Sequence, residues 1–476
     1  MGQFLTPAPI ARFMASMFRE PSGPVRLLDP GAGVGSLTAA YVSEACARRI
    51  TPSEISVTAY EIDPFLVPYL GRTLEMCRAH CNAAGLPFAY EVLQADFIEA
   101  ATTVLQDDLF SQPRPRFTAA ILNPPYGKIN SNSPTRRLLR SVGIETTNLY
   151  TAFLALAVRL LEDGGELVSI TPRSFCNGPY FRPFRRLLLE SAALHRIHVF
   201  ESRDVAFRDD EVLQENVILY AEKTKTRPSV VVVSSSTSPS GVDATVRTVG
   251  YEQVVKPSDP ESFIHVAPEE NGHEIADRMA RQPFSLADLG LTVSTGRVVD
   301  FRAKEFLRAE PEHDTAPLIY PFNFHHGYIQ WPLRHNKKPV ALLVGAATMD
   351  LLVPSEVYVL VKRFTAKEER RRVVAAVHDP ARIGASLTGF ENHLNYFHRA
   401  GRGIAVSLAK GLMLYLNSTF VDSYFRQFSG HTQVNATDLR SLKYPTRHVL
   451  ERLGSRMTDV LPGQQEVDRW VEEELR

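Results

Sequence analysis

An α/β fold built on a Rossmann-like sheet, followed by a second α+β domain, is what the pattern of this chain specifies. Three observations carry that reading. Short apolar, β-like runs alternate with helical patterns from Val25 to Tyr220, as in a parallel sheet with helices on both faces. A glycine-rich turn ends the first run, and short acidic or polar motifs end the next ones, where open α/β sheets bind ligands. Beyond residue 284 the periodicity gives way to mixed segments rich in aromatics and histidines, as in a separate unit.

The elements follow in order. Thr6 suits a helix N-cap with Pro7 at the first helical position, so a helix is expected over Ala8–Phe18. Val25–Leu28 reads as a strand, Leu37–Arg49 as a helix, Ile55–Tyr60 as a strand and Val67–Ala84 as a helix. Phe88–Leu93 and Phe117–Leu122 read as strands, Leu149–Leu161 as a helix and Gly165–Ile170 as a strand. The helix Phe184–Ser191 and the strands His195–Phe200 and Val212–Tyr220 close the series. "KTKTRPS" and "SSSTSPSG" then flank Val230–Val233, the composition of a hairpin or linker. The expected domains are a catalytic domain over 1–222, a linker region over 223–283, a recognition domain over 284–447 and one amphipathic, acid-ended helix over 448–476. "KRFTAKEERRR" (362–372) reads as the start of a solvated helix.

Four scattered cysteines among 476 residues do not make a disulfide framework and point to a reducing, cytoplasmic setting. Cys77, His80 and Cys81 lie close on one helix but have no second ligand pair nearby, so packing is expected and no metal. No apolar run reaches membrane-spanning length, and no signal-peptide core is present. The net charge is zero, yet residues 301–450 carry twenty Lys/Arg against twelve Asp/Glu, and 451–476 carry four against seven. A locally basic stretch is what contact with phosphates requires.

The motifs carry the chemistry. "LLDPGAGVGS" sets Asp29, Gly31 and Gly33 in a strand-to-helix turn, where glycine allows positive φ and close approach of a ligand. "YEID" ends the second strand with Glu61, suited to ribose hydroxyls, and "QADF" ends the third with Asp96 and Phe97, suited to an adenine. An acid opening the glycine turn fits the ammonium and sulfonium of S-adenosylmethionine better than a pyrophosphate. "GQFLTP" could line the methionine end through Gln3, Phe4 and Thr6. "NPPY" ends the fourth strand: Pro124 and Pro125 stiffen a corner that carries Asn123 and Tyr126. An amine conjugated to an aromatic ring is a poor nucleophile. The Asn123 amide oxygen and the Pro124 carbonyl could bind its two N–H groups and localise its lone pair, with Tyr126 stacked on the ring.

This set, in this order, resembles the adenine-specific DNA amino-methyltransferases of bacterial restriction–modification systems. It is most similar to the gamma-class BsuBI/PstI/AccI-type modification enzymes. The resemblance covers residues 1 to about 222. "STGRVVDFRAKEF" (294–306) and "SGHTQVNATDLRSLKYP" (429–445) look like the start and end of the family's recognition region. It implies a class I S-adenosylmethionine-dependent methyltransferase sheet with a C-terminal target-recognition domain. Asn123, Pro124, Pro125 and Tyr126 would then hold the target amine, and Phe207 would stack on the extruded base, with Tyr180 and Phe181 as rivals. Phe4, Thr6, Asp29, Gly31, Gly33, Glu61, Ile62, Asp96, Phe97 and Phe153 would hold S-adenosylmethionine. The implied partners are double-stranded DNA and a cognate restriction endonuclease, with the enzyme acting as a monomer.

Basic and polar residues near the strand ends complete the expected DNA contacts. These are Arg136, Arg137, Arg182 and Arg185 for phosphates, and His431, Gln433 and Asn435 for base edges or backbone. Cytosine N4-, RNA-base and protein glutamine methylation share the corner chemistry. The large basic C-terminal half speaks against the protein substrate, and intact motifs speak against a non-catalytic DNA-binding subunit.

Overall fold

In the computed structural model, residues 5–21, 23–106, 116–200, 216–257, 259–266, 272–333, 338–365, 370–428 and 433–475 are described. The chain divides into two compact units, Met1–Pro268 and Glu269–Arg476.

The first unit is a nine-stranded sheet. Helix α1 (Ala8–Ala15) precedes strand β1 (Val25–Pro30), then α2 (Ser36–Ala47), β2 (Ile55–Tyr60), α3 (Val67–Ala83), β3 (Phe88–Leu93), α4 (Phe97–Gln106) and β4 (Phe117–Leu122). Next come α5 (Pro134–Ser141), α6 (Leu149–Leu160), β5 (Leu161–Pro172), α7 (Arg182–Ser191), β6 (Ala193–Phe200), β7 (Asn216–Glu222), β8 (Val230–Ser236) and β9 (Thr245–Gly250). The strand order is β3-β2-β1-β4-β5-β7-β6-β8-β9. The chain reverses its winding beside β1, whose parallel neighbours are β2 and β4, so their carboxyl ends frame a crevice. One face is closed by α1, α2 and α3 through Ile10, Met14, Tyr41, Leu70 and Leu74, and the other by α4, α6 and α7 through Phe97, Leu154, Phe184 and Leu188.

Two expectations are corrected here. The sheet is not parallel throughout: β1 to β5 run parallel, but β7 inserts antiparallel between β5 and β6. The segment expected as a linker from 223 extends the sheet instead. β8 pairs in parallel with β6, and β9 pairs antiparallel with β8. The serine-rich composition misled because Ser234, Ser235 and Ser236 are buried strand residues, two of them bonded to the buried His198 ring.

The second unit holds strands β10 (Thr292–Thr295), β11 (Leu307–Arg308), β12 (Thr315–Ile319), β13 (Phe324–His325), β14 (Tyr328–Ile329), β15 (Ala341–Leu343), β16 (Leu352–Pro354), β17 (Tyr358–Lys362), β18 (Ala375–His378), β19 (Leu387–Phe390) and β20 (Leu394–His398). They form a six-stranded sheet, β10-β20-β17-β18-β14-β13, and a five-stranded sheet, β11-β15-β12-β19-β16. "KRFTAKEERRR" is not the start of a solvated helix over its described part: Tyr358–Lys362 is a strand, and the Arg372 side chain is buried over Phe425. The expected single C-terminal helix is two, Arg447–Ser455 and Gln464–Leu475, interrupted by Pro462 and Gly463.

Candidate active site

The turn after β1 is shaped by Gly31 and Gly33 at φ +82° and +57°, a region that side chains with a Cβ rarely enter. The Gly33 N–H donates to Glu61 Oε2 at 2.7 Å, and Glu61 Oε1 accepts from the Asp63 N–H at 2.8 Å. The acid ending β2 is thereby fixed against the turn ending β1. After β3, Asp96 Oδ1 accepts from Ile98 N–H at 2.7 Å and Glu99 N–H at 3.3 Å, capping α4 and placing Phe97 in its first turn. Phe97 stands 5.2 Å from the Tyr60 ring and 5.1 Å from the Phe153 ring, which α6 supplies.

β4 ends in the proline-stiffened corner. Asn123 Nδ2 donates to the Thr6 hydroxyl at 3.0 Å, and the Tyr126 hydroxyl donates to Asn216 Oδ1 at 3.1 Å. Thr6 and Asn216 are both buried, so the Asn123 and Tyr126 side chains are each held from outside their own motif. Burial drives the Tyr126 phenol far above its ordinary pKa, and it stays neutral.

A cavity of about 240 Å³ joins these parts. Of the residues expected at the cofactor and the corner, Gly31, Gly33, Glu61, Ile62, Asp96, Phe97, Asn123, Pro124, Pro125 and Phe153 form its wall, together with Leu5, Tyr60, Leu66 and Leu149. Thr6 adjoins it through Asn123. Asp29 does not line it: fully buried behind the turn, it accepts the Thr38 hydroxyl on Oδ2 at 2.6 Å, and among the described residues Oδ1 has no partner. Burial, reinforced by the Glu61 charge and opposed by Thr38, pushes its carboxyl up to about 7. Phe4, Phe207 and His431 lie outside the described residues. Of the two rivals to Phe207, Phe181 is buried against Tyr150 at 5.7 Å and is ruled out as a free stacking ring, whereas Tyr180 is 72% exposed.

The expected phosphate contacts need correction. Arg185 is 0% exposed; its guanidinium donates to the carbonyls of Phe175 (3.1 Å), Gly178 (2.6 Å) and Glu261 (2.8 Å) and lies over the Phe263 ring. The Arg136 side chain is largely buried and pairs with Glu145. Both are spent inside the fold. Arg182 donates to the Pro260 carbonyl at 2.8 Å and faces Glu261 at 3.7 Å. Arg137 is exposed, and its guanidinium donates to the Asn132 carbonyl at 2.9 Å. Gln433 bridges Phe364 along the backbone, and the Asn435 N–H donates to Asp438 Oδ2 at 2.8 Å.

The motif order left Tyr60 and Asn216 unmarked. Tyr60 had a signal, being the strand residue just before Glu61. Asn216 had none, because the strand had been expected to begin at Val212, which leaves Asn216 inside a run rather than at its start.

Known proteins resemble the chain closely. A family model described as Eco57I restriction-modification methylase matches residues 88–207. The type II methyltransferase M.PstI of Providencia stuartii is 44% identical over 476 residues, covering 100% of this chain and 93% of the relative. M.BsuBI of Bacillus subtilis is 45% identical over 480 residues, covering 100% and 94%. The chain belongs to the type II methyltransferases. It is thus a DNA methyltransferase of the restriction–modification kind, and such enzymes take their methyl group from S-adenosylmethionine. The type IIL restriction–modification enzyme MmeI in complex with DNA superposes on the methyltransferase with a TM-score of 0.56 at 12% identity, over 98% of this chain and 70% of MmeI, which is a likeness of fold. Among the described residues, no helix of the methyltransferase is long and apolar enough to cross a membrane.

Proposed function

We propose that the protein methylates N6 of adenine at a specific duplex site, on a base rotated out of the helix beside the cavity. The observation that carries this is the junction of corner and cavity. Asn123 stands in the wall that Glu61, Asp96 and Phe97 also form, and its amide nitrogen is committed to Thr6. In this reading the amide meets an incoming amine through its oxygen.

The residues present fit S-adenosylmethionine. A Cβ on Gly31 would meet the Phe153 ring at 3.4 Å, and one on Gly33 would meet Leu5 at 3.2 Å, so the glycines keep a cradle open. Glu61 would take the ribose hydroxyls. The Tyr60, Phe97 and Phe153 rings would enclose the adenine, with Asp96 at its edge. When bound, S-adenosylmethionine supplies a methyl group on a sulfonium.

Asn123 Oδ1 and the Pro124 carbonyl accept the two N–H groups of the target amine and turn its lone pair out of the ring plane. Tyr126 stacks on the base, and Asn216 fixes the phenol by its hydroxyl. Once alkylated, the nitrogen is acidic, and its proton leaves along the same hydrogen bonds. The second unit reads the sequence, and a cognate endonuclease would be blocked at the marked site. The adenine assignment rests on the likeness of the motif set to adenine-specific enzymes; the corner chemistry would also serve cytosine N4.

Incubation with duplex DNA and S-adenosylmethionine, followed by single-molecule sequencing, should locate N6-methyladenine in one short consensus. N4-methylcytosine in its place would overturn the adenine assignment. Asn123→Ala should lower kcat by about 10²–10³-fold while cofactor affinity stays within about threefold; an active variant would remove the amide from the reaction.

A further inference from the structure

Three loops of the second unit leave the same end of the six-stranded sheet. β10 and β17 end there and β20 begins there, since Thr295 pairs with Asn395 and Lys362 with Leu394. Backbone hydrogen bonds sew the loops together. Gly296 N–H donates to Leu394 at 2.8 Å, Asn392 N–H to Val298 at 2.9 Å, and Arg363 N–H to His393 at 2.8 Å. A fourth segment joins, with Val434 N–H donating to Arg363 at 2.7 Å and Asn395 Nδ2 to Val434 at 2.7 Å. The first and third loops pass so closely that a Cβ on Gly296 would stand 2.2 Å from the Glu391 carbonyl oxygen. The platform's backbone is therefore held by its own hydrogen bonds.

Its half-buried and exposed side chains form a particular set. The Arg363 guanidinium lies 5.6 Å over the Phe364 ring and donates to the Asn392 carbonyl at 3.2 Å. Phe364 is 41% exposed and meets the His393 ring edge-on at 4.8 Å. His393 Nδ1 pairs with the buried Glu391 carboxylate at 2.7 Å, which directs Nε2 the other way. Phe301, 77% exposed with Arg302 over its ring, stands on the next turn of the first loop. Among the described residues no carboxylate pairs with Arg297, Arg302 or Arg363, and the acid nearest the set, Glu391, is turned inward.

We infer that this platform reads base edges of duplex DNA, with Arg363, Phe364 and His393 as determinants of the recognised sequence. A forked donor, a flat apolar face and an imidazole nitrogen of fixed orientation match the donor, acceptor and methyl pattern by which base pairs differ in the major groove. The preformed backbone removes the ordering cost that a flexible reader would incur. Cations that pair with no carboxylate among the described residues draw the phosphates that set the register. The inference rests on the adenine-methyltransferase reading above, and it adds residues that the sequence motifs did not mark.

The test maps the methylation consensus of the full-length enzyme and of Arg363→Ala, Arg363→Lys, Phe364→Ala and His393→Ala, with Arg469→Ala on the last helix as control. Cofactor affinity is measured for each variant by calorimetry. At least one platform variant should lose roughly 10- to 100-fold in discrimination at a single base pair, with cofactor affinity within twofold of wild type. Arg363→Lys should relax the same position as Arg363→Ala, because an ammonium keeps the charge but not the fork. An unchanged consensus with unchanged rates would overturn the inference. So would an unchanged consensus with a uniform fall in rate and a shallower salt dependence, which would assign the platform to phosphates alone. A wild-type enzyme that marks no DNA would instead overturn the underlying reading, and this one with it.

Discussion

Burial decides what a polar side chain does, and burial is the property a sequence discloses least. Arg185 sits in "NGPYFRPFRR", a segment that looks like a cationic surface, yet it is enclosed by backbone carbonyls. Arg186, one position on, is exposed. A helix turns about 100° per residue, so neighbours face different worlds. The glycines of the turn after β1 were legible because their constraint is local: positive φ at a strand end before a helix. His198 was not, for its ring meets Ser234 and Ser236 across strands at 2.9 and 3.0 Å. Burial, with help from the Arg196 charge, holds its pKa down to about 4 from 6.5. Between those values the unfolded chain takes up a proton that the folded chain refuses, so stability falls as pH falls through this window. The loss is about 3 kcal/mol once pH is below both values. A proton NMR titration of the folded protein should show this imidazole neutral at pH 5.5; one titrating near 6.5 would contradict the burial argument.

Strand positions were legible wherever an apolar run ended at a polar motif, and Ile55–Tyr60, Phe88–Leu93 and Phe117–Leu122 fall where the runs placed them. Helix α4 carried no such signal, since it begins inside the "QADF" motif, whereas α5 had one that went unread: Ser133 caps it and Pro134 opens it. The hardest element was the C-terminal helix. Its amphipathic pattern suggested one acid-ended helix, but the first of the two, Arg447–Ser455, crosses Val406–Leu416 at backbone contact. A Cβ on Gly411 would stand 1.7 Å from the Leu450 carbonyl oxygen, and one on Gly454 would stand 1.9 Å from that of Ser407. Two isolated glycines in helical patterns look like mere weaknesses; in the fold they let two helices touch. Gly411→Ala must push the helices apart against the core that holds Leu412, Leu450 and Leu453. The expected cost is about 3 kcal/mol or more, read as a drop in the unfolding midpoint of the second unit. Cofactor binding by the first unit should persist. A variant with an unchanged midpoint would show that the crossing is not close-packed.

Composition set a domain edge at 222, with a linker region to 283, whereas the first compact unit runs to Pro268. Composition suggested an edge, whereas strand pairing continues through it. Removing residues 223–268 would strip β6 of its parallel partner along Arg196–Phe200. It would also take away the Glu261 carbonyl that Arg185 donates to and the Val266 carbonyl that Arg173 donates to at 2.7 Å. The first loss bares a buried strand as an aggregation-prone edge. The second leaves buried cations short of acceptors, at a cost of about 3–5 kcal/mol for a broken buried partnership. Val254, Ile264 and Val266, core residues on the α7 face, would go as well. A fragment of residues 1–268 should therefore be soluble, melt cooperatively and bind S-adenosylmethionine, while a fragment of residues 1–222 should aggregate on expression. If the shorter fragment were monodisperse and bound the cofactor equally well, the outer strands would be an ornament of the sheet. The catalytic unit would then end where composition first placed it.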